Sequence, residues 1–176
     1  MKADFARYNT EGVWGYMHAQ LWVQVWYRFG RWLYYENCPA VLRIPLKLIY
    51  LPVYMFIETF LHTVLPASAK IGPGLFLSHL GAIYISPHAV IGSNCDIAQK
   101  VTIGVSGLGR PGAPVIGDNV YVGTGAVVIG KITVGDGAKI GANSVVMTNV
   151  PAGASVMGVP AQIIMRARST TPGGAQ

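Results

Sequence analysis

The sequence is short of charged residues and of cysteine. Of its 176 residues, 11% are Asp, Glu, Lys or Arg, whereas 52% are hydrophobic. So much apolar surface is best buried by a repetitive fold that stacks its units and associates with further copies. Cys38 and Cys95 are the two cysteines, too few for a disulfide framework and without the spacing of a metal site. We therefore expect a cytoplasmic protein with reduced thiols.

Clustered basic residues are also missing. The net charge is +6, but Lys and Arg are scattered, and no basic run with interleaved aromatic residues occurs. Nucleic acid is therefore not expected as a partner. The positive charge fits a merely solvated surface as well as it fits an anionic membrane surface or a phosphorylated cosubstrate.

A long uninterrupted apolar span is absent as well. Residues 41–65 are very apolar, but their longest uncharged run, Leu48–Ile57, is half of the roughly 20 residues that a transmembrane helix needs. Pro45 and Pro52 predict a kink or a break within it. We expect no spanning helix, and the first apolar stretch lacks the pattern of a cleaved signal peptide.

Residues 1–65 differ in composition from the rest and hold all four tryptophans. Trp22, Trp26 and Phe29 recur at helical spacings, which predicts amphipathic helices. Such helices can cap the open N-terminal end of a solenoid and pack in an oligomer. Their aromatic, apolar face also fits an inner-membrane interface, and the two interpretations are compatible.

The abundant feature is an aliphatic residue at every sixth position, often followed by glycine. This period is typical of a parallel β-helix, in which three units of six residues make one coil. Stacked coils then give three faces. The first face holds Ile71, Ile91, Ile116 and Val134, the second Leu77, Ile97, Val122 and Ile140, and the third Ile83, Ile85, Ile103, Val128 and Val146.

One edge of the predicted solenoid gathers residues that can do chemistry. The residues two places after the second-face aliphatics are His79, Gln99, Thr124 and Ala142. The segment 104–115 (GVSGLGRPGAPV) interrupts the repeat with four glycines and two prolines. It predicts a loop thrown clear of the coil just above His79, a typical place for function.

His79 is the candidate general base, because a neutral imidazole is basic near pH 7. His88, three places after Ile85, is expected at a turn, and His18 and His62 are expected to serve packing. A catalytic metal site would need three converging imidazoles, which the solenoid does not offer. No metal is predicted.

An ordered series of motifs covers residues 66–164. It runs KIGPGLFLSHLGAIYI (70–85), AVIG (89–92), QKVTIG (99–104), PVIGDNV (114–120), IGANSVV (140–146) and GVPA (158–161). The series resembles the serine acetyltransferase branch of the hexapeptide acyltransferases. The resemblance implies a left-handed parallel β-helix, a homotrimer, acetyl-CoA as donor and His79 as catalytic base. The expected fold is mainly β, with a helical segment at 1–65, the solenoid at 66–165 and a disordered tail at 166–176.

In this arrangement the pantetheine arm of acetyl-CoA is expected along the edge that carries His79, with the adenine end near Gly158–Ala161. A backbone N–H at Gly104 or in the loop is expected to stabilise the oxyanion, and Ser106 and Arg110 form the predicted substrate loop. The predicted cofactor-binding residues are Gln99, Gly104, Thr124, Gly125, Gly141, Ala142, Gly158 and Pro160.

The chain departs from the serine enzymes at two positions. Val64 stands where that branch has an aspartate. Ala113 directly precedes the last proline of the loop, where that branch has the second residue of an Arg-His pair. Leaving a substrate carboxylate unpaired is costly, so we expect serine to be lost as acceptor.

The short N-terminal segment resembles instead the small acetyltransferases of exopolysaccharide and capsule synthesis, of the colanic acid type. The predicted function is an acetyl-CoA-dependent O-acetyltransferase of a saccharide hydroxyl, on an exopolysaccharide, capsule or lipid-linked glycan precursor. Such an enzyme would be cytoplasmic and peripheral on the inner membrane. The alternatives are a divergent serine O-acetyltransferase and a non-catalytic hexapeptide-repeat scaffold.

Overall fold

The computed structural model describes residues 1–8, 18–36, 38–107 and 112–164. Three helices come first: α1 (Lys2–Tyr8), α2 (Ala19–Tyr35) and α3 (Ala40–Phe60). Within the described residues the strands that follow are β1 (Thr63–Val64), β2 (Lys70–Ile71), β3 (Phe76–Leu77), β4 (Ile83–Ile85), β5 (Val90–Ile91), β6 (Asp96–Ile97), β7 (Thr102–Gly104), β8 (Val115–Ile116), β9 (Tyr121–Val122), β10 (Val127–Ile129), β11 (Thr133–Val134), β12 (Lys139–Ile140), β13 (Val145–Val146), β14 (Ser155–Met157) and β15 (Gln162–Ile163). The predicted tail and Arg110 lie outside these residues.

The strands form the three predicted faces of a prism. The first face is the sheet β2-β5-β8-β11, the second runs β3-β6-β9-β12-β14 with β15 added antiparallel, and the third is β1-β4-β7-β10-β13. The repeat stacks in register, since Ile71 pairs with Ile91 and Ile91 with Ile116. The parallel β-helix is confirmed, and its left-handed sense stays a prediction.

The core of the prism is a stack of the repeated aliphatic side chains. Leu77, Ile103, Val122 and Ile140 are all fully buried. Burying an aliphatic side chain of this size stabilises the fold by about 1.5–3 kcal/mol. The six-residue period therefore exists because each short strand contributes one such side chain to the interior.

Helix α2 covers the open N-terminal edge of the first face, where β2 has a strand on one side only. The Tyr27 hydroxyl donates to the Ala69 carbonyl at 2.7 Å and accepts from the Ile71 N–H at 3.1 Å. Arg28 donates to the carbonyls of Ile71 and Gly72, each at 2.5 Å. Side chains thus take the place of a missing strand, and the predicted capping role of the helices is confirmed.

Helix α3 is continuous, so the break predicted at its prolines is wrong. It is one helix of 21 residues with Pro45 and Pro52 inside it. A proline inside a helix removes one hydrogen bond and crowds the carbonyl four residues earlier, but tertiary packing, here of Tyr50 and Ile57, can override such local preferences. By length and composition alone, with a mean hydropathy of 1.6 in its most apolar window, the helix is long and apolar enough to cross a membrane.

Candidate functional site

His79 lies at a corner of the prism that protrudes from the stack. Leu77 pairs with Ile97, and Ile85 pairs with Ile103. Leu77 and Ile85 are eight positions apart in the sequence, whereas their partners Ile97 and Ile103 are six apart. The two additional residues bulge outward between β3 and β4. The His79 side chain is exposed there, as a base that must meet a substrate has to be.

The backbone of this corner is held in an unusual conformation. Gly81 and Ala82 have φ values of 117° and 53°, a region in which alanine is strained by about 1 kcal/mol. The buried Thr63 hydroxyl ties the corner to β1, because it accepts from the Gly81 N–H at 3.4 Å and donates to the Leu61 carbonyl at 3.0 Å. The corner is therefore tied to β1 at the residue before Val64.

The strand that leads to His79 is fixed by α1. The Tyr8 hydroxyl accepts from the Leu77 N–H at 2.7 Å and donates to the Leu77 carbonyl at 3.2 Å. An Asp4 oxygen accepts from the N–H groups of Gly74 and Leu75 at 2.9 and 3.2 Å. Neither residue was predicted from the sequence, since a polar residue in a short helix carries no signal of a distant strand edge.

Two buried polar groups of this cap have shifted pKa values. Burial raises the pKa of Tyr8 to about 12. Burial also acts to raise the pKa of Asp4, but the hydrogen bond and positive charge of Arg28, with the amino terminus, outweigh it and leave that pKa below its usual value. Tyr8 is therefore neutral and Asp4 ionised at neutral pH.

Several predicted cofactor residues line the prism edge between the second and third faces, which we call the histidine edge. Gln99, Thr124 and Ala142 follow one another on successive coils, linked through the bonds Gly125 N–H to Gln99 carbonyl (3.0 Å) and Asn143 N–H to Thr124 carbonyl (2.8 Å). Gly141 precedes Ala142 directly. The edge offers small side chains and accessible backbone.

The C-terminal end of the histidine edge is formed by the turn after β14. The Gly158 carbonyl accepts from the Val145 N–H at 3.0 Å, and the Ala161 N–H donates to the Val145 carbonyl at 2.8 Å, with Pro160 between them. The coils are spaced by about 4.8 Å, so four steps from His79 to Gly158 cover about 19 Å. The edge can accommodate a long, slender ligand.

Gly104 and Ser106 do not lie at the histidine edge. Gly104 ends β7, at the edge between the third and first faces, which we call the loop edge. An added Cβ on Gly130 would lie 3.5 Å from Ser106, so this flank of the loop rests beside the end of β10. The prediction that the loop leaves the coil just above His79 is wrong for its described flanks, because His79 precedes the strands of the third face and Gly104 follows them.

The two positions that depart from the serine enzymes are both integrated into the fold. Val64 pairs with Tyr84 in the third face and is half-buried. Ala113 is half-buried and packs against the main core. Neither side chain offers a polar group to a substrate, as the sequence indicated.

The cysteines and metal-ligand residues give no alternative centre in the described part of the chain. No group of three or more His, Cys, Asp or Glu side chains there could hold a metal ion. Cys95 is buried in the core, and burial raises the pKa of its thiol. His88 lies in an exposed turn, as predicted.

Comparison with known proteins identifies the family. The family described as Bacterial transferase hexapeptide (six repeats) matches residues 113–147. The structure of soybean serine acetyltransferase complexed with serine has a TM-score of 0.76 and 30% sequence identity, and the match covers 92% of this chain and 67% of that one. The chain belongs to the hexapeptide-repeat acyltransferases. The six-residue repeat of this chain is thus the hexapeptide repeat of this family.

Two further family members extend the comparison. The serine acetyltransferase of Escherichia coli strain K12 is 40% identical over 149 residues, which are 83% of this chain and 51% of that protein. The serine acetyltransferase of Brucella abortus strain S19, in complex with coenzyme A, has a TM-score of 0.76 at 28% identity and covers 93% of this chain and 65% of that one. The chain spans about half the length of the curated relatives it matches.

These relatives overturn the prediction of a saccharide acceptor. They are named serine acetyltransferase, and the similarity extends over most of the chain. The saccharide prediction depended on Val64, Ala113 and the short N-terminal segment, and these local differences are outweighed by the sequence as a whole. The likeness to polysaccharide-modifying enzymes has no support among the relatives.

Proposed function

We propose that the protein is an acetyl-CoA-dependent serine O-acetyltransferase with His79 as its general base. The observation that carries the proposal is the exposed His79 on a protruding corner, at one end of an edge about 19 Å long that is bordered by small residues. The names of the relatives support serine as acceptor and coenzyme A as the carrier of the acetyl group.

The chemistry is direct transfer without an acyl-enzyme. The serine hydroxyl oxygen attacks the thioester carbonyl while His79 takes the hydroxyl proton. The new C–O bond forms, the C–S bond breaks, and the imidazolium returns its proton to the departing thiolate. Backbone N–H groups near Gly104 or in the loop stabilise the oxyanion. The buried cysteines take no part.

The histidine edge suits acetyl-CoA as cosubstrate. Thr124 and Gly125 are half-buried while Ala142 and Gly158 are exposed, so a pantetheine arm can lie close to the backbone with the adenine end beside Pro160. With Val64 in place of a carboxylate, Gln99 or a backbone carbonyl holds the imidazole of His79. Arg110, which lies outside the described residues, is assigned as the cation for the carboxylate of serine because it is the basic residue of the loop sequence, and Ser106 is the loop's hydroxyl residue.

A homotrimer joins the two edges in one site. His79 lies on the histidine edge and the loop on the loop edge of the same subunit. In a ring of three, the histidine edge of one subunit faces the loop edge of the next. Each site would then combine His79 of one subunit with Ser106 and Arg110 of its neighbour.

The test is thiol release from acetyl-CoA with L-serine, for wild type, His79→Ala and His88→Ala. Removing a general base lowers kcat by about 10²–10⁴-fold with little change in KM. His88→Ala is the matched control, because His88 is an exposed histidine in a turn, and its rate should stay within about twofold of wild type. No serine-dependent release by the wild type would refute the activity and favour a scaffold, whereas full activity of His79→Ala would refute only the role of His79.

A further inference from the structure

Helix α3 exposes an apolar surface that the rest of the protein leaves uncovered. Ten of its large apolar side chains are exposed, the most open being Val41 at 87%, Ile44 at 73% and Leu48 at 70%. Only Tyr50 and Ile57 of this helix are buried. Contiguous apolar surface of this extent marks an interaction site.

The exposed apolar surface is too broad for a single helical partner. At 100° per residue, the exposed apolar positions from Val41 to Phe60 cover an arc of about 200° around the axis. We call this the apolar arc of α3. A helix that packs on a protein needs an apolar stripe of about 100°, so one partner helix would leave half of the arc in water. A hydrocarbon phase covers all of it.

The charged residues of α3 are segregated from the apolar arc. Arg43, Lys47 and Glu58 all project from the remaining side of the helix. Arg43 donates to the Cys38 carbonyl at 3.3 Å, and the Lys47 ammonium lies 4.6 Å from the centre of the Tyr34 ring. Lys47 lies about 40° from the edge of the arc, whereas Arg43 lies opposite the arc, on the side of the buried Tyr50. The whole chain carries a net charge of +6. Lys47 at the edge of the arc and the net positive charge complement an anionic lipid surface.

An apolar cavity adjoins the same surface. It has a volume of about 420 Å³ and is lined by the aromatic side chains of Trp26, Phe29 and Trp32 on α2 and by Ile49 on α3. Ile49 is itself part of the apolar arc and 58% exposed. A lipid acyl chain has the shape and the apolarity to enter it.

The middle and the C-terminal part of α3 pack against the rest of the protein. Tyr50 stacks on Trp26 of α2 with ring centres 5.6 Å apart, and Ile57 is part of the solenoid core. A helix held along its length in this way lies in the plane of a membrane interface rather than across it.

We propose that the apolar arc of α3 binds the surface of an anionic phospholipid bilayer, with one acyl chain in the cavity beside Trp26 and Trp32. Lys47, at the edge of the arc, then faces the lipid phosphates. The solenoid with its histidine edge stays in water. This proposal is independent of acetyl transfer, since its tests need no substrate.

The first experiment is flotation of the full chain with vesicles of phosphatidylcholine and phosphatidylglycerol. We expect the wild type to float and the double variant Ile44→Glu/Leu48→Glu to bind at least about tenfold less, because two apolar side chains lose their burial. The matched control is Ile163→Glu, which replaces a 55% exposed isoleucine at the far end of the solenoid and should float like the wild type. Circular dichroism checks that each variant is folded.

A second experiment uses the wild type alone. Bromine atoms on the acyl chains should quench the tryptophan fluorescence, since Trp26 and Trp32 line the cavity. A wild type that stays in solution, a double variant that floats unchanged, or fluorescence without quenching would each overturn the proposal. So would a double variant whose assembly is smaller than that of the wild type, because a second copy would then cover the arc.

Discussion

An added Cβ on Gly92 would lie 2.5 Å from the Gly117 carbonyl oxygen of the next coil. Gly72 stands in the same relation to Gly92, where the distance to the carbonyl carbon would be 2.6 Å. Real Cβ atoms do not approach backbone this closely, and backbone in a stacked coil cannot move aside. The glycine that follows each first-face aliphatic is therefore required by the spacing between coils.

We predict that Gly92→Ala lowers the free energy of unfolding by about 1–3 kcal/mol, the usual range for forcing an additional methyl group into a packed interior. Gly107→Ala is the matched control, because nothing lies within 4 Å of its added Cβ, and the change there should stay within about 0.5 kcal/mol. Urea denaturation compares the two. Equal stabilities of both variants would show that the coils can spread.

At the scale of elements, side chains of α1 and α2 take the hydrogen-bonding place of a preceding coil at the N-terminal end of the solenoid. Strands β2 and β3 start the stack, and their outer N–H and C=O groups would otherwise face the N-terminal end unpaired. Tyr8 and Asp4 from α1 and Tyr27 and Arg28 from α2 satisfy these groups. The cost of burying an unpaired backbone group, about 1–3 kcal/mol, explains why polar side chains are found at this interface.

We predict that Tyr8→Phe lowers the free energy of unfolding at pH 7 by about 1–3 kcal/mol, since it leaves the Leu77 N–H without an acceptor. Tyr84→Phe, which removes a hydroxyl from an exposed tyrosine, should change it by less than about 0.5 kcal/mol. Denaturant unfolding of both variants gives the comparison. An equal loss in both would mean that the buried hydroxyl is not the cause.

The same variant has a pH signature. The pKa of Tyr8 is raised from 10.0 to about 12 in the folded state, so its contribution is full below pH 10 and is lost as the pH rises through 12. The stability advantage of wild type over Tyr8→Phe should therefore shrink between these values. An advantage that stays constant over this window would contradict the burial of the hydroxyl.

At the scale of the whole molecule, the proposed site is divided between two edges of the prism. His79 precedes the strands of the third face, whereas the described flanks of the loop follow them. We predict a trimer with a mass of about 56 kDa, three times the 18.8 kDa of one chain, measured by light scattering.

Mixed trimers test the shared site directly. Subunits with His79→Ala are combined with subunits whose loop residues 105–113 are replaced by a Gly-Ser linker. Random assortment should restore about a quarter of the wild-type activity. A site is complete only when the loop variant supplies its histidine and the His79→Ala variant supplies its loop. Mixtures as inactive as either parent would place the complete site within one subunit.

The six-residue spacing by itself determined the solenoid. Each Ile or Val of the repeat lies on the face to which the sequence assigned it, since burial of one aliphatic side chain per short strand is a local rule that most strands of the solenoid follow. The same spacing singled out the corner of His79 and the row that runs through Gln99, Thr124 and Ala142. These positions follow from counting along the chain.

Only the tertiary structure decided at which edge each part of the proposed site lies and what covers the N-terminal end. The start of the loop at Gly104 is close to His79 in the sequence pattern, but the two lie at opposite ends of the strands of the third face. The hydrogen bonds of Tyr8 and Asp4 to a strand about 70 residues away leave no periodic signal, because they join single side chains to backbone. Helix α3 is continuous through Pro45 and Pro52 while Tyr50 packs on the protein, because tertiary packing can override the local preference of single residues.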